Sequence, residues 1–204
     1  PVVRVDDGGQ WYHIVIGAVI NAGVNFVVDI GAQILEQSGS KDPLEISIIR
    51  AGISAASGFV SGAISGFGLG FGTTIGLNAA LGAMESVVTD IYTNNAVGKI
   101  HTDYSVGEIF AHAAISAGTS ALTTYVSGPS DGAAMNKAYK EYKSGKAYLQ
   151  KKGNAPSYNR IARKKVNNYK KKLGRYARNE TKGGFASSSA GKIITTLIQK
   201  VFRV

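Results

Sequence analysis

Three histidines, His13, His101 and His112, are the side chains of this 204-residue chain best suited to moving protons near neutral pH. His101 stands two residues before Asp103, the one acid/base pair in loop-like sequence. No two histidines have the i, i+4 spacing with which a helix grips zinc, and the chain has no cysteine. The expectation is therefore no metal site and no cofactor. Glu180-Thr181-Lys182 matches the Glu-x-Lys core of some metal-dependent nucleases, where the acid holds Mg²⁺ and the lysine polarises the attacking water. That core needs a second acid on a strand scaffold, whereas Glu141 is the only other acid after Gly132 and lies in helix-like sequence. A metal-free ribonuclease would draw on Tyr169, Arg175, Tyr176, Arg178 and Glu180 instead. His101, Asp103, Arg175, Arg178, Glu180 and Lys182 are thus the catalytic candidates. Their spacing singles out no reaction, so whether the chain is an enzyme stays open. Gly184 to Lys192 lacks the hydroxyl that a phosphate loop places after its lysine, and Ser187-Ser188-Ser189 reads as a turn.

Charge separates the chain into two polymers. Up to Gly132 there are four basic and eleven acidic residues, a net charge of −7; from Ala133 onward there are nineteen basic and two acidic, a net charge of +17. A segment so cationic repels itself and attracts polyanions, either anionic lipid or nucleic acid. Lys164, Lys165, Lys170, Lys171, Lys172, Arg175 and Arg178 are the densest part of it and the candidate anion-binding residues. Tyrosines interleave with these cations. They suit base stacking, a membrane interface, or the seam of a helical hairpin.

The acidic half contains long stretches without any Asp, Glu, Lys or Arg, over residues 10–28, 51–84 and 109–130. Each approaches or exceeds the ~20 residues that span a bilayer as a helix, although Gly, Ala, Ser and Thr make them weaker anchors than leucine-rich spans. Gly58, Gly62, Gly66 and Gly70, then Gly72 and Gly76, form a small-residue zipper in the longest run, broken near Gly68 to Gly72. Such spacing clears one helix face for close approach by another backbone. It serves a buried hairpin in a soluble core or a membrane-active zipper. A diffuse repeat of about 62 residues lays Ala51-Gly52-Ile53-Ser54-Ala55 over Ala113-Ala114-Ile115-Ser116-Ala117, with Asp29-Ile30 answering Asp90-Ile91. Each copy reads as a helix end, a polar loop and a new helix, begun at Asp42-Pro43 or at Asp103 to Ser105. Continuous rather than alternating Val-Ile runs, such as Ile14 to Ile20, argue against strands.

The expected fold is mostly α: Gly/Ala-rich helical hairpins over 13–132 and a basic helical hairpin over 133–204. In the basic part, Met135, Ala138, Tyr139, Tyr142 and Leu149 share one side of a first helix, with Asp131 as its N-cap. Ala162, Val166, Tyr169, Leu173 and Tyr176 form the seam of a second, which Gly183-Gly184 ends. A last amphipathic stretch runs from Gly191 to Val204.

Pro1-Val2-Val3-Arg4-Val5-Asp6-Asp7-Gly8-Gly9-Gln10-Trp11 resembles the end of an Rhs/YD-repeat core, where a Val-Asp-Pro-Asp-Gly turn precedes a variable C-terminal region; here the proline is missing. Residues 1–12 read as that core remnant. The helices that follow, with the Asp-x-x-Glu-Ile pattern at Asp42 to Ile46, are similar to the low-complexity part of such regions, over roughly residues 1 to 125. The resemblance implies a polymorphic toxin tip. It would be held in an Rhs shell of its own precursor, delivered by a secretion system into a competing cell, and neutralised in the producer by a cognate immunity protein. It implies no chemistry. The reading that joins it to the charge pattern is a tip that inserts into and permeabilises a target membrane, attached to anionic lipid by its basic hairpin. The alternative is a nucleic-acid-directed toxin, an RNase or DNase whose active part is the basic region. A third is a scaffold that merely folds beside the shell.

Overall fold

A computed structural model describes residues 11–38, 43–96, 101–128, 131–150 and 156–202, with side chains described as far as residue 195. The Rhs-like segment before Trp11 lies outside the described residues, as do parts of the expected loops and the side chains closing the last amphipathic stretch. Among the described residues there are six α-helices and no strand: α1 (Tyr12–Gln37), α2 (Ile48–Phe67), α3 (Phe71–Asn94), α4 (Val106–Ser127), α5 (Gly132–Gln150) and α6 (Pro156–Phe202). The expected mostly α fold of helical hairpins is what forms.

The pairs α1/α2, α3/α4 and α5/α6 pack as hairpins, and α6 also lies along α1 and α4. Local chemistry sets the boundaries. Ser47 caps α2 by accepting the Arg50 N–H at 3.2 Å, and Ser105 with Glu108 forms a capping box at the start of α4. Gly68, at φ 67°, ends α2 in the left-handed conformation that a side chain disfavours.

Two expected boundaries move. α2 starts at Ile48, after Asp42-Pro43, because an extended segment returns along α1 first. There Gln37 and Gln33 act as backbone surrogates. Gln37 Oε1 accepts the Glu45 N–H at 2.8 Å, and Gln33 Oε1 accepts the Ser47 N–H at 2.6 Å. The second correction concerns Gly183-Gly184, which does not end a helix, and Ser187 to Ser189, which is not a turn. α6 runs through both. Gly184 packs against α1, where a Cβ would stand 2.9 Å from Asn21 Oδ1. That contact offsets the roughly 1 kcal/mol a helical glycine costs. The charge boundary at Gly132 is consequently not a packing boundary, since α6 belongs to the basic hairpin at one end and to the small-residue bundle at the other. Asp131 provides a carbonyl rather than a side-chain cap, accepting the Met135 N–H at 2.9 Å.

The glycine zipper is shorter than its sequence spacing. A Cβ on Gly58 would lie 2.5 Å from the Asn21 carbonyl oxygen, one on Gly62 would strike the Gly17 carbonyl, and one on Gly66 would lie 2.7 Å from Ile14 Cα. These three let α2 lie directly on the α1 backbone. Gly70 precedes α3 and Gly76 faces open space, so neither joins the groove.

Apolar side chains concentrate in an unusual place. Met135, Ala138, Tyr139, Tyr169 and Tyr176 form a buried cluster between α5 and α6, with Tyr142 and Leu173 against it. In α1 to α4 the buried residues are mainly small or polar, among them His13, Asp29, Gln33, Ser54, Asp90 and His112. Ile14 and Val24 are buried with them, while Val15, Val19, Val27, Ile34, Ile49, Met84 and Phe110 are exposed.

Candidate functional site

Every helix around the bundle interior carries a polar stripe at helical spacing. On α1 it is Asn21, Asn25, Asp29, Gln33 and Gln37, each four residues after the last. α2 contributes Arg50, Ser54, Ser61 and Ser65, α3 Thr74, Asn78, Glu85 and Asp90, and α4 Ser116, Ser120, Thr124 and Ser127. α6 completes the ring with Glu180, Ser188, Lys192 and Thr195. The stripes converge on a cavity of about 1050 Å³ whose lining runs from Asp131 and Glu180 at one end to Glu36 and Tyr104 at the other.

Hydrogen bonds join these stripes into layers. At the α1 N-terminal end, Asn21 donates to Glu180 Oε2 at 3.0 Å, and Ser188 donates to Asn25 Oδ1 at 2.9 Å. Next, Ser61 donates to Asn78 Oδ1 at 2.9 Å while Asn78 donates to Thr124 at 3.2 Å. The middle layer is ionic. Lys192 Nζ lies 2.5 Å from Asp29 Oδ1 and 3.2 Å from Glu85 Oε1, and Ser54 donates to Glu85 at 2.5 Å. Beyond it, Arg50 meets Glu36 with two bonds of 2.6 Å, the bidentate fork that guanidinium geometry favours. At the far end His112 Nδ1 is 2.9 Å from Asp90 Oδ2, with the Tyr104 ring edge-on to the imidazole at 4.7 Å. A charge removed from water must be paired and hydrogen-bonded to persist; Lys192 with Asp29 and Glu85, and Arg50 with Glu36, are, while Glu180 is met by the neutral Asn21 amide.

The opposite faces are apolar and uncovered. Val19 is 58% exposed, Ile49 59%, Met84 64% and Phe110 70%. α1 and α2 are long and apolar enough to cross a membrane, and only 33% and 22% of the residues in their most apolar stretches are buried. A core helix of a water-soluble protein would bury most of that stretch. α3 and α4 do not reach the same hydropathy, and both exceed 20 residues.

The catalytic candidates do not converge. His101 Nε2 and Asp103 Oδ1 are 3.0 Å apart in the exposed approach to α4. Glu180 is held by Asn21 toward the other end of the bundle, and Arg175, Arg178 and Lys182 project outward from α6. Among the described residues, no group of three or more His, Asp or Glu is placed to hold a metal ion. The anion-binding candidates Lys164, Lys170, Lys171, Lys172, Arg175 and Arg178 are exposed, and Lys165 is half-buried. The tyrosines divide. Tyr142 and Tyr169 rings meet at 4.8 Å and Tyr139 and Tyr169 at 5.8 Å, forming the hairpin seam. Burial raises the pKa of Tyr169, and burial with the nearby Glu180 carboxylate raises that of Tyr176, so both hydroxyls stay neutral.

The polar stripe is hidden by the charge pattern along the chain. Long runs free of charge drew attention to their apolar content, while the four-residue recurrence of Asn21, Asn25, Asp29, Gln33 and Gln37 was the signal for the interior. No protein-family profile, no curated protein and no solved structure matches this chain.

Proposed function

We propose that this chain is a membrane-inserting region whose helices α1 to α4, with the second half of α6, sit in a bilayer around a polar passage. The observation that carries this reading is the inversion of polarity: ionised and amide side chains meet in the interior, and Val, Ile, Phe and Met face out. In water that arrangement exposes the surface that costs most to hydrate and buries the groups that hydrate best. In a bilayer it is favourable, because lipid covers the apolar sides while intramembrane polar groups pair with one another or line a watered cavity. The helices fit the medium, since ~20 residues at 1.5 Å each match the ~30 Å hydrocarbon layer.

The α5/α6 hairpin, with its exposed lysines and arginines, attaches the molecule to anionic headgroups, each cation near the surface contributing about 1 kcal/mol. Joined to the resemblance of residues 1–11 to an Rhs core end, the reading becomes a toxin tip that depolarises a competing cell and requires an immunity partner in its producer. A nucleic-acid-directed toxin has less support. Tyr139, Tyr169 and Tyr176 are consumed by the hairpin seam, and the acid/base candidates stand apart.

Efflux of potassium from vesicles rich in phosphatidylglycerol, followed with a potential-sensitive dye, tests the proposal. Collapse of the potassium gradient in these, with far less in zwitterionic vesicles, is expected. Anionic vesicles that hold their gradient at saturating protein would overturn it.

A further inference from the structure

At the centre of the interior, one ammonium is ringed by oxygens from three helices. Lys192 Nζ lies 2.5 Å from Asp29 Oδ1 on α1, 2.6 Å from Ser54 Oγ on α2 and 3.2 Å from Glu85 Oε1 on α3. Two carboxylates and a hydroxyl at such distances form the coordination that a partly dehydrated monovalent cation seeks, and an ammonium is a cation of that kind on a flexible stem. The rest of the lining has the same sign. Carboxylates outnumber cationic side chains in the cavity wall by seven to two, the two being Arg50 and Lys192. Arg50 is engaged by Glu36, and its Nε also lies 3.6 Å from Asp29 Oδ1, so it braces the cation site from one side without filling it. A mobile anion entering this space meets a field that repels it, and a mobile cation meets one that attracts it.

The segment that delivers Lys192 is held by polar contacts. Ser188 bonds Asn25, and Gly184 and Gly191 give α6 a face without side chains against α1 and α4. The apolar cluster that fixes α6 lies further back, at Tyr169 and Tyr176. Withdrawing the ammonium therefore breaks ionic and hydroxyl contacts that a dissolved cation can replace, without opening an apolar core.

Resting on the membrane reading above, we infer that the interior passes small monovalent cations, that the oxygens of Asp29, Ser54 and Glu85 are its cation site, and that Lys192 fills this site as a tethered ion when the path is closed.

The test uses the full chain in planar anionic bilayers under a KCl gradient. The wild-type protein should reverse near the potassium equilibrium potential. Lys192→Met should raise the fraction of time the path is open about threefold or more while keeping cation preference, because no tethered ammonium remains to close the site. Lys192→Arg should stay close to wild type. Asp29→Asn combined with Glu85→Gln should move the reversal potential toward zero. Conductance with no preference or with anion preference in the wild-type chain would overturn this inference and leave the membrane reading standing. So would a Lys192→Met channel that is open no more of the time than wild type. Absence of any conductance would remove the membrane reading itself and this inference with it. The wild-type reversal potential needs no variant to fold.

Discussion

Lys192 and Asp29 are separated by 163 residues of sequence and by 2.5 Å in the folded chain. Their contact ties the cationic C-terminal segment, at its one charge between Lys182 and Lys200, to the interior of the acidic half. Asp29 also accepts from Gln33 at 2.7 Å, with Ser54 Oγ 3.2 Å away, and its side chain is 1% exposed. Replacing it with asparagine leaves Lys192 facing Glu85 alone. We expect Asp29→Asn to cost about 2 to 3 kcal/mol, somewhat less than a fully dry pair because one carboxylate remains. Glu141→Gln, at an exposed position of α5, should change stability by less than about 0.5 kcal/mol. Denaturant unfolding in detergent micelles, followed by circular dichroism, checks both.

Close helix approach gives a second contrast. Gly62→Ala drives a methyl into the Gly17 carbonyl, with backbone on both sides and no side chain able to yield. The expected loss is about 1 to 3 kcal/mol. Gly76→Ala points into open space, so it should be neutral or stabilise the helix by up to roughly 1 kcal/mol. Equal effects from the two variants, in the same unfolding assay, would mean that α2 and α1 do not pack as described.

Attachment to lipid should be electrostatic and local to the hairpin. Lys170, Lys171 and Lys172 are exposed, so changing all three to glutamine should weaken binding to phosphatidylglycerol vesicles by about 3 kcal/mol, on the order of a hundredfold. The helical signal should not change. Binding of the wild-type chain should fall as salt rises from physiological to molar, as the Debye length shrinks from about 8 to about 3 Å. Vesicle co-sedimentation measures both.

The seam of the basic hairpin supplies a test of folding independent of lipid. Tyr176 is 1% exposed and Tyr169 6%. Tyr169→Ala should cost about 3 to 5 kcal/mol. Tyr158→Ala, at a 60% exposed position of the same helix, should stay within about 0.5 kcal/mol. Thermal unfolding of the two variants separates these outcomes.

Much of the fold was legible because it is written in local signals. The charge-free runs, the seam from Ala162 to Tyr176, and the glycine break before Phe71 each correspond to elements of the structure. Ser105 and Glu108 are a capping box that can be read directly. The misread positions share a cause. Gly183-Gly184 looks like a stop by propensity, but contact with Asn21 on a distant helix overrides it. Gly70 and Gly76 obey the zipper spacing, yet the α2–α3 turn removes them from the face that touches α1. Pairings of the interior, such as Lys192 with Asp29 or Glu180 with Asn21, depend on how three hairpins assemble, and no spacing along the chain encodes them. What the sequence did carry for the site was the four-residue recurrence of polar side chains in α1.

On the membrane reading, the apolar sides of α1 to α4 meet lipid while their polar stripes meet water. The chain has no cysteine, so a single introduced thiol reports on its own surroundings. Val60 is 45% exposed on the outer face of α2, and its neighbour Ser61 turns inward to bond Asn78. The direct measurement is the alkylation rate of Val60→Cys and of Ser61→Cys by a small water-soluble reagent, with and without saturating anionic vesicles. Lipid should slow Val60→Cys by about tenfold or more, because a thiolate does not form in hydrocarbon, and should leave Ser61→Cys reactive through the watered interior. An unchanged rate at Val60→Cys in the presence of vesicles to which the protein is fully bound would mean that α2 does not face lipid.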